Sequence, residues 1–295
     1  MNTFRNLLGV AILIAGMPAA AVQVFVQHQA AVTRNPLIAS VSGPGFMASA
    51  DALAGEFKVY GAASDDIRVN GNRAGTERPY EFTNLTVSQM TIAAGTPAIG
   101  LFPPLGLTAE VHADVFAAPP ASLLRPGGTN RTVNDVQATF SVKVLDGIGV
   151  GSFIAQALYQ EFTEYNLDGT VKDFVASFRK FQETNGATVV TSGGSGISLN
   201  MSFLMPTMVL DPGARMQVSF ELESTARDGS TIDAYNTAQL SLVLPFGVTL
   251  DNDSGESLDW VSNAPAVPEP QTYALLLAGL GLIGLAARRR SPRFS

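Results

Sequence analysis

The 295-residue chain has no cysteine, two histidines and one tryptophan. Without cysteine there is no disulfide framework, no thiolate metal ligand and no cysteine nucleophile, so packing and hydrogen bonds must hold the fold. With only His28 and His112 available, a serine nucleophile has almost no choice of base, and no Gly-x-Ser-x-Gly pattern occurs. The single Trp260 lies near the C-terminal stretch, so no stacking platform for sugars is legible. Positive charge is also scarce. Arg5, Arg288, Arg289, Arg290 and Arg293 lie outside residues 22–267, as does Glu269, so the chain's 18 basic and 25 acidic residues become 13 and 24 there. That body carries −11 where the whole chain carries −7. An anionic field of this kind argues against nucleic acid and anionic lipid headgroups as partners.

Both termini are apolar. Residues 1–21 join one arginine, Arg5, to the run Leu7 to Ala15 and then to Ala19-Ala20-Ala21. This is the order of a secretory signal peptide with an Ala19-x-Ala21 cleavage site, and Pro18 ends the apolar helix just before it. The alternative is an uncleaved N-terminal anchor. Either way the body is carried across the inner membrane.

At the other end, Val267-Pro268-Glu269-Pro270 precede an uncharged run from Tyr273 to Ala287, followed by Arg288-Arg289-Arg290. A helix over that run is roughly 22 Å long, short of the roughly 30 Å hydrocarbon core. A span over 272–287 therefore draws on Thr272, local bilayer thinning and arginines that reach back to the headgroups. The two prolines place the helix start at or after Pro270. The arginines belong in the cytoplasm by the positive-inside rule, which leaves the body outside.

This order of motif, helix and arginines resembles the PEP-CTERM sorting signal of exopolysaccharide-producing Gram-negative bacteria. The resemblance covers residues 263–295 and implies a membrane-embedded, transpeptidase-like exosortase as partner, with Val267, Pro268, Glu269 and Pro270 as the recognition element. It further implies a transient inner-membrane anchor, Arg288 to Arg290 as stop-transfer charges, and passage to the cell surface or extracellular matrix. It says where the protein goes, not what the body does.

Residues 22–262 are expected to form one all-β body. Val136, Ala138, Phe140, Val142 and Val144 alternate with polar neighbours, and the same pattern recurs at Leu199 to Phe203, Met216 to Leu222, Ala238 to Leu244 and Phe57 to Val59. Each is a strand with one dry face. Asn70-Gly71, Asp146-Gly147, Asp211-Pro212-Gly213 and Asp228-Gly229 read as turns, and the phase shift between Val87 and Met90 reads as a bulge. With no βαβ alternation, two antiparallel sheets packed face to face follow, with jelly-roll and immunoglobulin-like topologies both open. Residues 22–50 read as a lightly structured lead-in with an edge strand, and His28 as a solvated side chain. Residues 171–181 fit helical spacing and strand alternation alike, and the β context favours strand. Residues 234–250 resemble the last strand pair of other bodies with this tail.

Chemistry is sparse. Glu110, His112 and Asp114 share one strand face, read as solvated because no second histidine joins them. Asp251, Asp253 and Glu256 lie in an oxygen-rich loop that could take calcium but lacks the full EF-hand pattern. Thr191 to Gly196, with Ser192 and Ser195, lacks the Gly-Lys-Ser/Thr end of a phosphate loop and reads as a hairpin connection. No catalytic residue, cofactor or resident metal is assigned. The expectation is a non-enzymatic surface or matrix protein whose body associates with exopolysaccharide or biofilm components. The alternatives are a secreted polysaccharide-active enzyme and a calcium-dependent adhesion module.

Overall fold

Two-residue periodicity builds seventeen strands in the computed structural model, which describes residues 22–28, 31–64, 69–87, 106–124, 128–146, 150–194, 197–206, 214–244, 248–252 and 255–263. They are β1 (Gln23–His28), β2 (Ala31–Asn35), β3 (Ile38–Gly43), β4 (Phe46–Asp51), β5 (Glu56–Ala62), β6 (Val69–Arg78), β7 (Tyr80–Val87), β8 (Gly106–Ala117) and β9 (Arg131–Val144). The second half adds β10 (Gly151–Tyr165), β11 (Val171–Glu183), β12 (Thr188–Gly194), β13 (Ile197–Leu204), β14 (Met216–Arg227), β15 (Ser230–Leu244), β16 (Val248–Asn252) and β17 (Val261–Asn263). No helix occurs among the described residues. The signal and C-terminal helices expected from the sequence, and the bulge beyond Val87, lie outside them.

The strands form a β-sandwich. One sheet runs β11-β10-β9-β14-β6-β1-β2, with β7 also paired to β14 and β16 to β7. The other runs β12-β13-β8-β15-β5-β4-β3, with β17 added parallel to β15. All other pairings are antiparallel. Pro79, which has no amide proton to give the ladder, divides β6 from β7 where both run along β14.

The core lies between the sheets. Phe140, Val142, Val218, Phe220 and Leu222 from the first sheet meet Phe57, Ala109, Val111, Met201, Phe203 and Leu240 from the second, all buried. The Phe220 ring sits 5.1 Å from Phe57, 6.3 Å from Phe140 and 6.5 Å from Phe203, tying both layers together.

Two residues carry β14 into β15 across the sandwich. Asp228 (φ 53°) and Gly229 (φ 91°) are both left-handed, a geometry that Asp tolerates and Gly adopts freely. The corner is locked by Ser230 Oγ, which accepts the Arg227 amide at 2.8 Å and donates to the Val133 carbonyl at 2.9 Å. This fixes one end of the sandwich, the far end, where the β10–β11 and β12–β13 hairpins also turn. The opposite, near end is marked by Trp260, whose ring packs edge-on to Tyr80 at 4.9 Å and Phe82 at 5.8 Å.

Four expectations are corrected. Residues 22–50 are an integral part of both sheets: β1 lies between β2 and β6, with Val24 and Val26 fully buried. The hydrophobic run was short and lacked clean alternation, because β1 buries three successive residues. His28 is half-buried, stacked on Phe46 at 3.5 Å, with Nδ1 bonded to Asn72 Oδ1 at 2.8 Å. Asn70-Gly71 lies inside β6: Asn70 is buried and donates its side-chain amide to the Gly45 and Ala62 carbonyls, a tertiary role that overrides the dipeptide's turn preference. Finally, β15 and β16 are no pair, since they belong to different sheets. The ambiguous stretch at 171–181 is strand, registered on β10 from Tyr165↔Val171 to Ala155↔Glu183.

Candidate functional site

A polar groove of about 310 Å³ lies on the outer face of the second sheet. Alternation puts it there. Leu107, Ala109 and Leu240 turn inward and are buried, so Thr108 and Glu110 of β8, and Gln239 and Ser241 of β15, turn outward. Register then sets Gln239 beside Glu110 and Ser241 beside Thr108. Ser262 of β17 and Asp259 complete the rim, and the Leu242 amide donates to the Trp260 carbonyl at 2.9 Å, holding that segment in place. Hydroxyls, one carboxamide and two carboxylates thus line one trough, a set that can donate to and accept from vicinal hydroxyls. Trp260 is only 4% exposed and packs into the core, so it supplies no stacking platform.

Glu110, His112 and Asp114 do share the outer face of β8. His112 Nδ1 pairs with Asn200 Oδ1, its Nε2 stands 3.7 Å from Glu110, and Asp114 accepts the Ser198 hydroxyl at 2.6 Å. Each is engaged by the neighbouring strand or by its own. Asp114 faces Asp233 across the β8–β15 ladder.

In the oxygen-rich loop, Asp251 lies in β16 opposite Thr83, and the Asn252 side chain closes the turn by donating to the Glu256 carbonyl at 2.6 Å. Asp253 lies outside the described residues. Among the described residues no three His, Cys, Asp or Glu side chains gather around a common point. Thr191 and Ser192 belong to the β12–β13 hairpin, and Ser195 lies outside the described residues. So do Ala19, Ala21, Val267, Pro268, Glu269, Pro270, the 272–287 run and Arg288, Arg289 and Arg290.

A second feature escaped the sequence reading. At the far end a cavity of about 350 Å³ opens between the sheets, lined by Val115, Phe116, Ala117, Thr163, Tyr165, Val171 and Phe174. Next to it Glu161 is buried, accepting the Tyr159 hydroxyl at 2.7 Å and the Asn134 amide at 3.4 Å, while Asn134 also donates to the Phe116 carbonyl. Burial raises the pKa of the Tyr165 phenol, and the Glu161 charge adds to the rise. The signal was present: Ala155, Ala157, Tyr159, Glu161, Thr163 and Tyr165 share one parity, and a glutamate on an otherwise inward face is out of place.

Comparison with known proteins bears on the tail. Residues 266–290 match the PEP-CTERM protein-sorting motif. The chain carries an exosortase sorting signal. It is thereby an exported protein, anchored at the membrane during sorting and handed to an exosortase. No curated protein matches the sequence. Among solved structures, the membrane-inserted form of the Clostridium perfringens NetB toxin aligns over 78% of this chain and 94% of its own, at 8% identity and a TM-score of 0.20, too low to carry any argument about fold or function.

Proposed function

We propose that the sorted body is a non-enzymatic surface or matrix module that binds neutral exopolysaccharide through the groove of Thr108, Glu110, Gln239, Ser241, Asp259 and Ser262. The observation that carries this reading is the composition of that trough: six polar side chains from three strands and a turn, converging on one outer face. Sugar hydroxyls present paired donors and acceptors, which such a surface can satisfy without an aromatic plate. The net negative charge of the body disfavours polyanionic glycans and so selects uncharged ones.

Purified protein tested against a panel of neutral and acidic polysaccharides should retain neutral chains, and Gln239→Ala should weaken retention several-fold. Equal retention by wild type and Gln239→Ala sinks the groove. Because Glu110 and Asp259 both line it, reducing ends are measured in the same samples. Their release, abolished by Glu110→Gln, would make the protein a hydrolase instead. Binding that requires millimolar calcium would favour the adhesion alternative.

A further inference from the structure

Strand β11 ends its sheet, and among the described residues its outer edge has no partner strand. Edge strands are normally blunted by being short, bulged or charged. This one is long, and its bulges and charges fall toward its ends, leaving an uncharged middle from Phe174 to Phe178; Val171 is 58% exposed, Phe174 42%, Val175 51% and Phe181 53%. Its two register shifts against β10 leave Lys172 and Phe181 as the extra residues. Between them Asp173 to Lys180 is regular, an edge of eight residues whose Phe174 amide is held by the Asp173 carboxylate.

The regular stretch reads Asp173-Phe174-Val175-Ala176-Ser177-Phe178-Arg179. A two-fold axis normal to the sheet through Ala176 pairs each residue with the one equally distant on the other side. Asp173 then meets the partner's Arg179, Phe174 the partner's Phe178, Val175 the partner's Ser177, and each contact occurs twice. Alternation puts Asp173 and Arg179 on the same face, as such pairing requires. Neither forms an ion pair within 4 Å among the described residues, and Asp173 accepts the amide of Phe174. Shifted axes lose the complementarity. Through Val175 the aspartate meets Ser177, through Ser177 it meets Phe181, and through Phe178 it meets Glu183. The adverse pair in the Ala176 register, Lys172 with the partner's Lys180, is offset within each chain: Lys172 bonds Glu164 at 2.7 Å, and Lys180 lies 3.4 Å from Glu183.

We propose that β11 is the interface for a second copy of this chain, two sheets joining edge to edge across a two-fold axis at Ala176, with Asp173 and Arg179 setting the register. The product is one continuous sheet through two bodies. It removes the exposed edge of both.

Because the chain has no cysteine, a single introduced thiol tests the axis directly. Opposite residues in an antiparallel pair lie about 4.5–5.5 Å apart at Cα, within reach of a disulfide. The full chain, recovered from envelope and medium and run on non-reducing gels after mild oxidation, should give mostly covalent dimer for Ala176→Cys. Ser177→Cys, and Val190→Cys on the opposite sheet's edge, should give at least tenfold less. Adding Asp173→Arg to Ala176→Cys should remove the dimer by a similar factor, and adding Arg179→Asp as well should restore it. Circular dichroism verifies that each variant keeps its β signature. Dimer yield from Ala176→Cys no greater than from Val190→Cys overturns the proposal, as does a yield indifferent to Asp173→Arg.

Discussion

Val22 and Asn263, which bracket the described body, leave the sandwich at the same end. Val22 precedes Gln23, opposite Arg78, and Asn263 lies beside Leu244, three residues past the Trp260 that packs on Tyr80. The β10–β11 turn therefore lies at the end of the sandwich opposite both of these residues. A thiol placed at Asp168, in the β10–β11 turn, should react with a membrane-impermeant maleimide in intact spheroplasts within minutes, while the protein is still anchored. Labelling that needs permeabilised membranes would show the body on the cytoplasmic side.

Phe220 should be the costliest single truncation in the body. Its ring contacts Phe57 and Phe203 from the opposite sheet and Phe140 beside it, and it is buried. Removing it leaves a cavity that neither sheet can close, at about 3–5 kcal/mol. Phe181→Ala, on the exposed strand β11, should cost less than about 1 kcal/mol. Urea denaturation of the two variants beside wild type measures both, and equal losses would mean that Phe220 does not bridge the two sheets.

The strands legible in the sequence were those with one wet and one dry face, such as Val136 to Val144 and Met216 to Leu222, since period two is the direct imprint of a half-buried strand. Strand β1 broke that rule by burying Phe25 as well as Val24 and Val26, because Phe25 lies under the Arg73 guanidinium on the outer face. Asn70-Gly71 misled for a different reason: a dipeptide reports only local preference, and the hydrogen bonds that hold Asn70 in β6 reach residues 8 and 25 positions away. The groove was invisible because Glu110, Gln239 and Ser262 meet only through strand pairing. The sorting signal was legible because it is linear.

Alkaline pH should unfold the protein through Tyr80. Its phenol is buried and donates to the Ala52 carbonyl at 3.0 Å. Burial, with a smaller push from the Asp51 charge, raises its pKa far above the usual tyrosine value. A raised folded-state pKa means that the stabilisation is whole below the unfolded value of about 10 and drains as pH climbs past it, at about 1.4 kcal/mol per pH unit for one group. Tyr80→Phe, weakened at pH 8 by the lost hydrogen bond, should show a shallower fall in melting temperature from pH 9.5 to 11. Parallel falls for both proteins would assign the alkaline limb to other groups.

Glu161 offers the last test, of whether its carboxyl is coupled to the buried Tyr159 hydroxyl at the far end. Its carboxyl accepts from Tyr159 and Asn134, and the Tyr159 ring in turn leans on Phe178 of β11 at 5.1 Å. Glu161→Gln keeps an acceptor for the tyrosine hydroxyl and should change stability by less than about 1 kcal/mol. Glu161→Ala removes the acceptor of the Tyr159 hydroxyl, leaves Asn134 with the Phe116 carbonyl alone and opens space between the sheets, so a loss of about 2–4 kcal/mol is expected. The Tyr159 hydroxyl is the reporter that separates the two effects. In the Glu161→Ala background the Tyr159 hydroxyl has already lost this bond, so Tyr159→Phe should cost less than in wild type, where the same change removes it. A Tyr159→Phe change of the same sign and size in both backgrounds would mean that the two side chains are not coupled.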